Sequence, residues 1–267
     1  MGTRFAGRRA LVTGGTRGIG LAVAAGLVAE GASVAIVGRS LEHLSRALSY
    51  LRGLGGGGAL VVGRAATIGA DASVHQALAA FAAEQLGGVD YLVNAAGGAR
   101  VTAVLEASWD LWQAEMAVKF WGYLGMMRAV VPWMEAGTGP RAILNILGVT
   151  GKDPNPALAI AGAANAALRA VTKSLAQDLA PRGIRVVNIN PGATETDLLQ
   201  EMAAAYAARC HATPEEMLRA LRQGPPLGRL PTAPEVAELA LFLLSDAALP
   251  ITGTSIDIDG GAHHGLA

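Results

Sequence analysis

Near the start of the chain a short apolar run leads directly into a cluster of glycines. Residues 10–13 are followed by Gly14-Gly15-Thr16-Arg17-Gly18-Ile19-Gly20 and then by helical sequence. Glycines at 14, 18 and 20 let the backbone turn sharply, approach a pyrophosphate closely and pack a helix against a sheet. The helix that follows offers unpaired N–H groups and the positive end of its dipole to phosphate. Dinucleotide binding is the implied chemistry, with Gly14, Thr16, Arg17, Gly18, Ile19 and Gly20 around the phosphates. An acidic residue at the end of the second apolar run would bind the adenosine ribose hydroxyls. That position reads Gly38-Arg39-Ser40 and has no carboxylate. Arg39, together with Arg17 inside the turn, supplies two guanidinium groups suited to a 2′-phosphate. The expected cofactor is therefore NADP(H) rather than NAD(H).

A turn of this kind works only between a strand and a helix, and the rest of the chain repeats that alternation. Apolar runs rich in β-branched residues fall at 9–13, 33–37, 59–63, 91–94, 142–147, 184–190 and 255–258. Amphipathic helical patterns fall between them, at 18–30, 41–51, 73–86, 109–134, 156–180 and 234–245. Strands separated by helices of this length predict right-handed crossovers and a parallel sheet covered on both faces. The expected architecture is a Rossmann-type doubly wound α/β fold with helices on both faces. It forms one domain over 1–267, because no linker or repeat divides the chain. The Gly-rich stretch 54–58 reads as a surface turn. Segment 193–230 breaks the alternation with helical stretches at 197–209 and 214–223, then Pro225-Pro226. It follows a strand end on the side where open sheets bind ligands, and is read as a lid over a substrate cleft.

Bulk composition narrows the class. Lys+Arg and Asp+Glu both number 21, so the formal net charge is zero and the electrostatic footprint of a nucleic-acid binder is missing. The single cysteine, Cys210, excludes an internal disulfide framework and suits a reducing compartment. No apolar run approaches the ~18–20 residues of a membrane span. Residues 1–7 lack the apolar core of a signal peptide. A cytoplasmic protein with a small-molecule substrate is expected, with no nucleic-acid or membrane partner.

Four motifs together resemble the short-chain dehydrogenase/reductase family. They are 13–20, Asn94-Ala95-Ala96-Gly97, Pro191-Gly192-Ala193-Thr194-Glu195-Thr196, and Ile251-Thr252-Gly253 with Asp259-Gly260-Gly261. They occur in the family's order and span essentially the whole chain. The resemblance implies a seven-stranded parallel sheet, a nicotinamide cofactor and a homo-oligomer, either a tetramer or a dimer. It also implies that Asn94, Ala95 and Gly97 lie beside the adenosine half. Pro191, Gly192, Thr194 and Thr196 would lie near the nicotinamide carboxamide.

The same resemblance places the family's catalytic Ser, Tyr and Lys on the strand end at 144–151 and the helix at 161–168. Those positions are Gly148, Ala161 and Asn165, and Lys119 stands where the family has a catalytic asparagine. No tyrosine occurs between Tyr123 and Tyr206, so a shifted register does not restore the site. General acid–base catalysis contributes ~10²–10⁴-fold, and the ordinary ketone–alcohol mechanism should be impaired without it. Asparagine and lysine stand in exchanged places, in a chain with only three lysines. Lys119 is therefore expected to deliver an ammonium to the nicotinamide cleft from the opposite helix. Asn165 is expected to bond the cofactor ribose or Lys119. The alternative makes Lys119 a solvated or interface charge and Asn165 a packing residue.

Weaker candidates are Thr150, Lys152 and Asp153 at the pocket mouth, and Tyr206, Cys210 and His211 in the lid. Adjacency of Cys210 and His211 does not by itself give a nucleophilic dyad. His263-His264 lacks further ligands at metal spacing, so no metal site is expected. Three functions remain open: an NADP(H)-dependent oxidoreductase with a non-standard site, a non-redox enzyme (isomerase, cyclase or lyase) reusing the pocket, and a catalytically silent dinucleotide-binding homologue.

Overall fold

Short runs rich in Val, Ile, Leu and Ala, fully buried in the central strands and partly exposed in the two edge strands, suit a sheet covered on both faces. They form β1 (Arg9–Thr13), β2 (Ser33–Gly38), β3 (Val61–Ala65), β4 (Tyr91–Asn94), β5 (Arg141–Ile146), β6 (Ile184–Pro191) and β7 (Ser255–Ile258). In the computed structural model, which describes residues 3–55 and 58–264, these seven strands pair in parallel in the order β3-β2-β1-β4-β5-β6-β7. Residues 1–2, within the 1–7 stretch, and 56–57, within the 54–58 turn, lie outside the described residues.

The helices are α1 (Gly18–Ala29), α2 (Leu41–Leu54), α3 (Ala72–Leu86), α4 (Trp109–Met116), α5 (Gly122–Glu135), α6 (Ala159–Leu179), α7 (Asp197–Cys210), α8 (Pro214–Gln223) and α9 (Ala233–Leu244). One core joins Leu27 of α1, Leu51 of α2 and Leu241 of α9 to Val12, Val34 and Ile36 on one sheet face. A second joins Leu78 of α3, Met126 of α5 and Leu168 of α6 to Leu11, Leu92 and Ile143 on the other. The strand order reverses between β1 and β4, and the glycine turn after β1 sits at this switch point.

Most element bounds fall within a residue of the sequence expectation, the second helix runs three residues further to Leu54, and three other differences have a local reason. The third strand runs two residues later, because Val61 pairs with Val34 and the pairing continues to Ala65 opposite Gly38. The expected helix 109–134 is interrupted by a single π turn, Ala117–Trp121, which hydrophobic spacing cannot reveal. The sixth helix starts at Ala159 rather than 156, because the Asn155 side chain captures the Ala157 N–H at 2.8 Å and holds a turn there.

A buried polar row crosses five strands. Thr13, Asn94, Asn145, Asn188 and Ser255 occupy one register line. Thr13 donates to Asn94 (3.3 Å), Asn94 to Asn145 (3.0 Å), Asn145 to Asn188 (3.1 Å) and Asn188 to Ser255 (2.9 Å). Thr172 of α6 joins the row, accepting from Asn145 and donating to Asn188. Buried amides are tolerated when satisfied, and this chain fixes the relative height of the strand ends that carry the site.

Candidate active site

The turn after β1 is shaped by contacts that only glycine permits. At Gly14 (φ +70°) a Cβ would lie 2.6 Å from the backbone of Ala95 and Ala96, and at Gly20 it would lie 2.3 Å from the Gly14 carbonyl oxygen. The glycine turn and the 94–97 loop therefore touch backbone to backbone, and the Ala95 N–H closes the junction on the Thr13 carbonyl at 3.0 Å. Pro191 and Gly192 end β6, and Thr194 donates back to the Gly192 carbonyl at 3.0 Å. Thr196 is the N-cap residue of α7, 3.6 Å from where a Gly18 Cβ would stand. The 14–20 turn, the 94–97 loop and the 191–196 segment thus lie together at the carboxyl end of the sheet.

Lys119 reaches this end of the sheet from the π turn between α4 and α5. Its stem passes Gly97, whose Cβ would lie 3.4 Å from the Lys119 Cδ. Its ammonium donates to the Ile146 carbonyl at 2.7 Å and to the Tyr123 hydroxyl at 3.1 Å, with the Leu147 carbonyl at 3.5 Å. It also stands 4.6 Å from the centre of the Tyr123 ring. No carboxylate pairs with it, so burial lowers the amine from its usual 10.5 to about 7. Tyr123 donates to the same Ile146 carbonyl at 3.1 Å, and burial pushes its phenol upward, so it stays protonated.

Asn165 approaches the same strand end from α6. Only 3% exposed, it donates from Nδ2 to the Thr150 hydroxyl at 3.0 Å and leaves its Oδ1 buried without a partner. A Cβ at Gly148 would lie 2.9 Å from the Asn165 Nδ2, so the bare glycine makes room for that amide. Lys119 and Asn165 therefore flank residues 146–150 from two helices. Of the two bonds expected of Asn165, to the cofactor ribose or to Lys119, the second is not made: Asn165 turns to Thr150, and Lys119 to the carbonyls of Ile146 and Leu147. Ala161 lies in the first turn of α6.

The remaining candidates disperse. Lys152 forms a 2.6 Å ion pair with Asp257 of β7, and Asp153 accepts the His264 backbone N–H at 3.3 Å. Tyr206 accepts from the Asn155 amide at 3.3 Å, and burial raises its phenol. Cys210 and His211 are both exposed, with His211 closing α7 in the left-handed conformation (φ 53°). His263 is held between Asp259 (2.9 Å) and Asp257 (3.4 Å). Among the described residues no group of three or more His, Cys, Asp and Glu is arranged to hold a metal. None of the described helices is long and apolar enough to cross a membrane.

Arg39 is exposed at the end of β2. Arg17 does not stand free beside it, because its Nη1 donates to Glu201 of α7 at 2.8 Å. Nothing local in the sequence signals that pair, formed across 184 residues. Nor did it flag the π turn that aims Lys119, or the Tyr123 hydroxyl beside it. The polar row did leave a signal, an asparagine near the end of three successive central strands.

A family model described as Enoyl-(Acyl carrier protein) reductase matches residues 14–263. The chain is 34% identical over 262 residues to the 2,5-dichloro-2,5-cyclohexadiene-1,4-diol dehydrogenase of Sphingobium indicum, covering 98% of each protein. It is superposable on L-sorbose reductase from Gluconobacter frateurii, solved with NADPH and L-sorbose, with a TM-score of 0.90, 28% identity and full coverage of both chains. A further neighbour is the NADPH-bound short chain oxidoreductase of Pseudomonas aeruginosa PAO1, described as containing an atypical catalytic center. Its TM-score is 0.85 at 32% identity, covering 97% of this chain and 98% of that one. The fold and these relatives define an oxidoreductase-type Rossmann protein. The chain belongs to the short-chain dehydrogenase/reductase family.

Proposed function

We propose that this protein is an NADP(H)-dependent oxidoreductase of a small carbonyl or alcohol substrate, with Lys119 as the proton-carrying group of a non-standard site. The position of its amine carries this reading: it is desolvated to about 7 and held 2.7 Å from the Ile146 carbonyl at the strand end before Gly148. An amine near neutrality can hold a proton at Nζ and release it at working pH, as acid–base catalysis requires.

The residues around the cleft fit a nicotinamide dinucleotide. Gly14 and Gly20 let the turn fold back on itself and against residues 94–97 with no room for a Cβ, the tight strand-to-helix turn on which a pyrophosphate sits. The orphaned Asn165 Oδ1 is a buried acceptor without a donor, as a ribose hydroxyl would provide. In this reading the 14–20 turn and the start of α1 hold the pyrophosphate, while Arg17 and Arg39 take the 2′-phosphate. Asn94, Ala95 and Gly97 flank the adenosine half. Pro191, Gly192, Thr194 and Thr196 flank the carboxamide, and Asn165 bonds the ribose. The cofactor supplies the hydride. Lys119 supplies or accepts the proton, Tyr123 steadies its ammonium, and α7 with α8 shields the cleft from water.

The test is NADPH oxidation with a panel of ketones, enones and quinones. Turnover that is lost in Lys119→Ala while NADPH binding persists supports the proposal. Product formed without cofactor consumption would instead identify a non-redox enzyme. Tight NADPH binding with no chemistry on any class would identify a silent homologue.

A further inference from the structure

Arg17 occupies a contested position. It precedes the first turn of α1, in the segment that binds phosphate in the reading above, yet its guanidinium is engaged by Glu201 at 2.8 Å. Glu201 lies in the second turn of α7, so this ion pair ties the lid to the dinucleotide turn. Behind Arg17 is a cavity of about 330 Å³ lined by Thr16, Arg17, His43, Arg46, Tyr50 and Asp197 among others. Arg17 and Arg46 line it together with Asp197 of α7, and Arg46 is partly engaged by Glu42 at 3.2 Å. Elsewhere the lid is held to other loops: Arg209 pairs with Glu106 after β4, and Tyr206 with Asn155 after β5. Only the Arg17 attachment lies where a cofactor phosphate would arrive.

We propose, building on the NADP(H) reading, that Glu201 sets the discrimination between phosphorylated and unphosphorylated cofactor by competing for Arg17. Binding of a 2′-phosphate then releases this corner of the lid. The physical basis is a single guanidinium fork facing two anions. A carboxylate and a phosphate both want its paired N–H groups. Once phosphate takes them, the Glu201 carboxylate is left beside a like charge and its helix has lost a tether. NADH has no 2′-phosphate and leaves the clasp closed. Glu201 acts through Arg17 and is a positioning residue.

The experiment is calorimetric titration of the wild type, Glu201→Gln, Arg17→Ala and the double variant with NADPH, NADH and 2′,5′-ADP, together with amide exchange across α7. Both side chains are substantially exposed (41% and 56%), so the variants should fold. Glu201→Gln should tighten NADPH and 2′,5′-ADP by about 1.5- to 5-fold, the range of an exposed ion pair, and leave NADH unmoved. Arg17→Ala should weaken NADPH and erase the Glu201→Gln gain. Exchange in α7 should be faster in unliganded Glu201→Gln than in the wild type, and faster with NADPH than with NADH. A wild-type preference for NADPH combined with equal shifts for both cofactors in Glu201→Gln overturns this proposal alone. So does a gain that survives Arg17→Ala. Wild-type parity between NADPH and NADH, with Arg17→Ala altering neither, overturns the cofactor reading and the phosphate step with it.

Discussion

The Lys119 ammonium and the Ile146 carbonyl meet at 2.7 Å, joining the π turn before α5 to the last residue of β5. Tyr123 donates to the same carbonyl, so this strand end is held by two donors from neighbouring turns of one helical segment. A π turn costs helix regularity, and here it offsets Lys119 toward the cleft. The next residues along the chain are Leu147 and Gly148, where the family pattern expects its serine.

Lys119 should be visible as a pH-dependent term in stability. Its amine falls to about 7 in the folded protein from an ordinary 10.5. Between those values the unfolded chain binds a proton that the folded chain has released, so stability rises with pH across that window. Urea denaturation at pH 7 and pH 9.5 should show a wild-type gain that Lys119→Met lacks. Tyr123 still partners the Ile146 carbonyl in that variant, so the fold should survive. Reduction should slow above about pH 7 in the wild type as the amine loses its proton. Lys119→Met should lose ~10²-fold or more in kcat with no such limb. Parallel pH–stability curves for the two proteins would refute the desolvated amine.

The polar row predicts a large effect far from any ligand. Asn145 donates to Thr172 and Asn188 and accepts from Asn94. Asn145→Ala removes these buried contacts at the middle of the row and should cost about 2–4 kcal/mol. Chemical denaturation reads this directly. A loss below ~0.5 kcal/mol would mean that the row is not coupled.

The glycine turn separates steric from conformational demands. Gly14→Ala drives a Cβ to 2.6 Å from immovable backbone at Ala95 and Ala96 and should cost more than ~3 kcal/mol. At Gly18 (φ +55°) the nearest atom to an added Cβ is the Thr196 Cγ2 at 3.6 Å, so Gly18→Ala should cost only ~1–2 kcal/mol in left-handed strain. Thermal melts of the two variants compare them. Equal losses would show that the 94–97 loop yields.

Most of the architecture was legible because its signals are local. Alternating β-branched runs and amphipathic helices mark the seven strands and helices α7 and α8, and the glycine spacing marks the turn after β1. Strand three and the start of α6 shifted because pairing register and one Asn155 side chain decide them, and neither has a periodicity. The site was legible by position and not by partner. Asn165 and Lys119 both reach the end of β5, but their hydrogen bonds depend on where Thr150 and Tyr123 fall in space. Arg17 reads in sequence as a 2′-phosphate ligand, and its pairing with Glu201 leaves no local signal because Glu201 lies far along the chain.

Gly148 and Asn165 should be energetically coupled. A Cβ at 148 would stand 2.9 Å from the Asn165 amide, which is fixed by its bond to Thr150. Gly148→Ala should therefore destabilise by ~1–3 kcal/mol, and distinctly less in an Asn165→Ala background. A double-mutant cycle on urea midpoints measures the difference. Additive losses would show that residue 148 clashes with something other than the amide.

Asn165→Leu distinguishes a structural amide from one reserved for a ligand. Leucine fills nearly the same volume and removes the unpartnered Oδ1, whose burial is unfavourable in the unliganded protein. Thr150 loses a donor, but its half-buried hydroxyl can turn to water. Stability without cofactor should stay level or rise by up to ~1 kcal/mol, while NADPH affinity falls by about 5- to 10-fold. Opposite signs in the two measurements would arise only if the acceptor is kept for a donor that arrives with the cofactor. A variant that unfolds more easily and binds NADPH normally would make Asn165 a packing residue, leaving Lys119 alone at the end of β5.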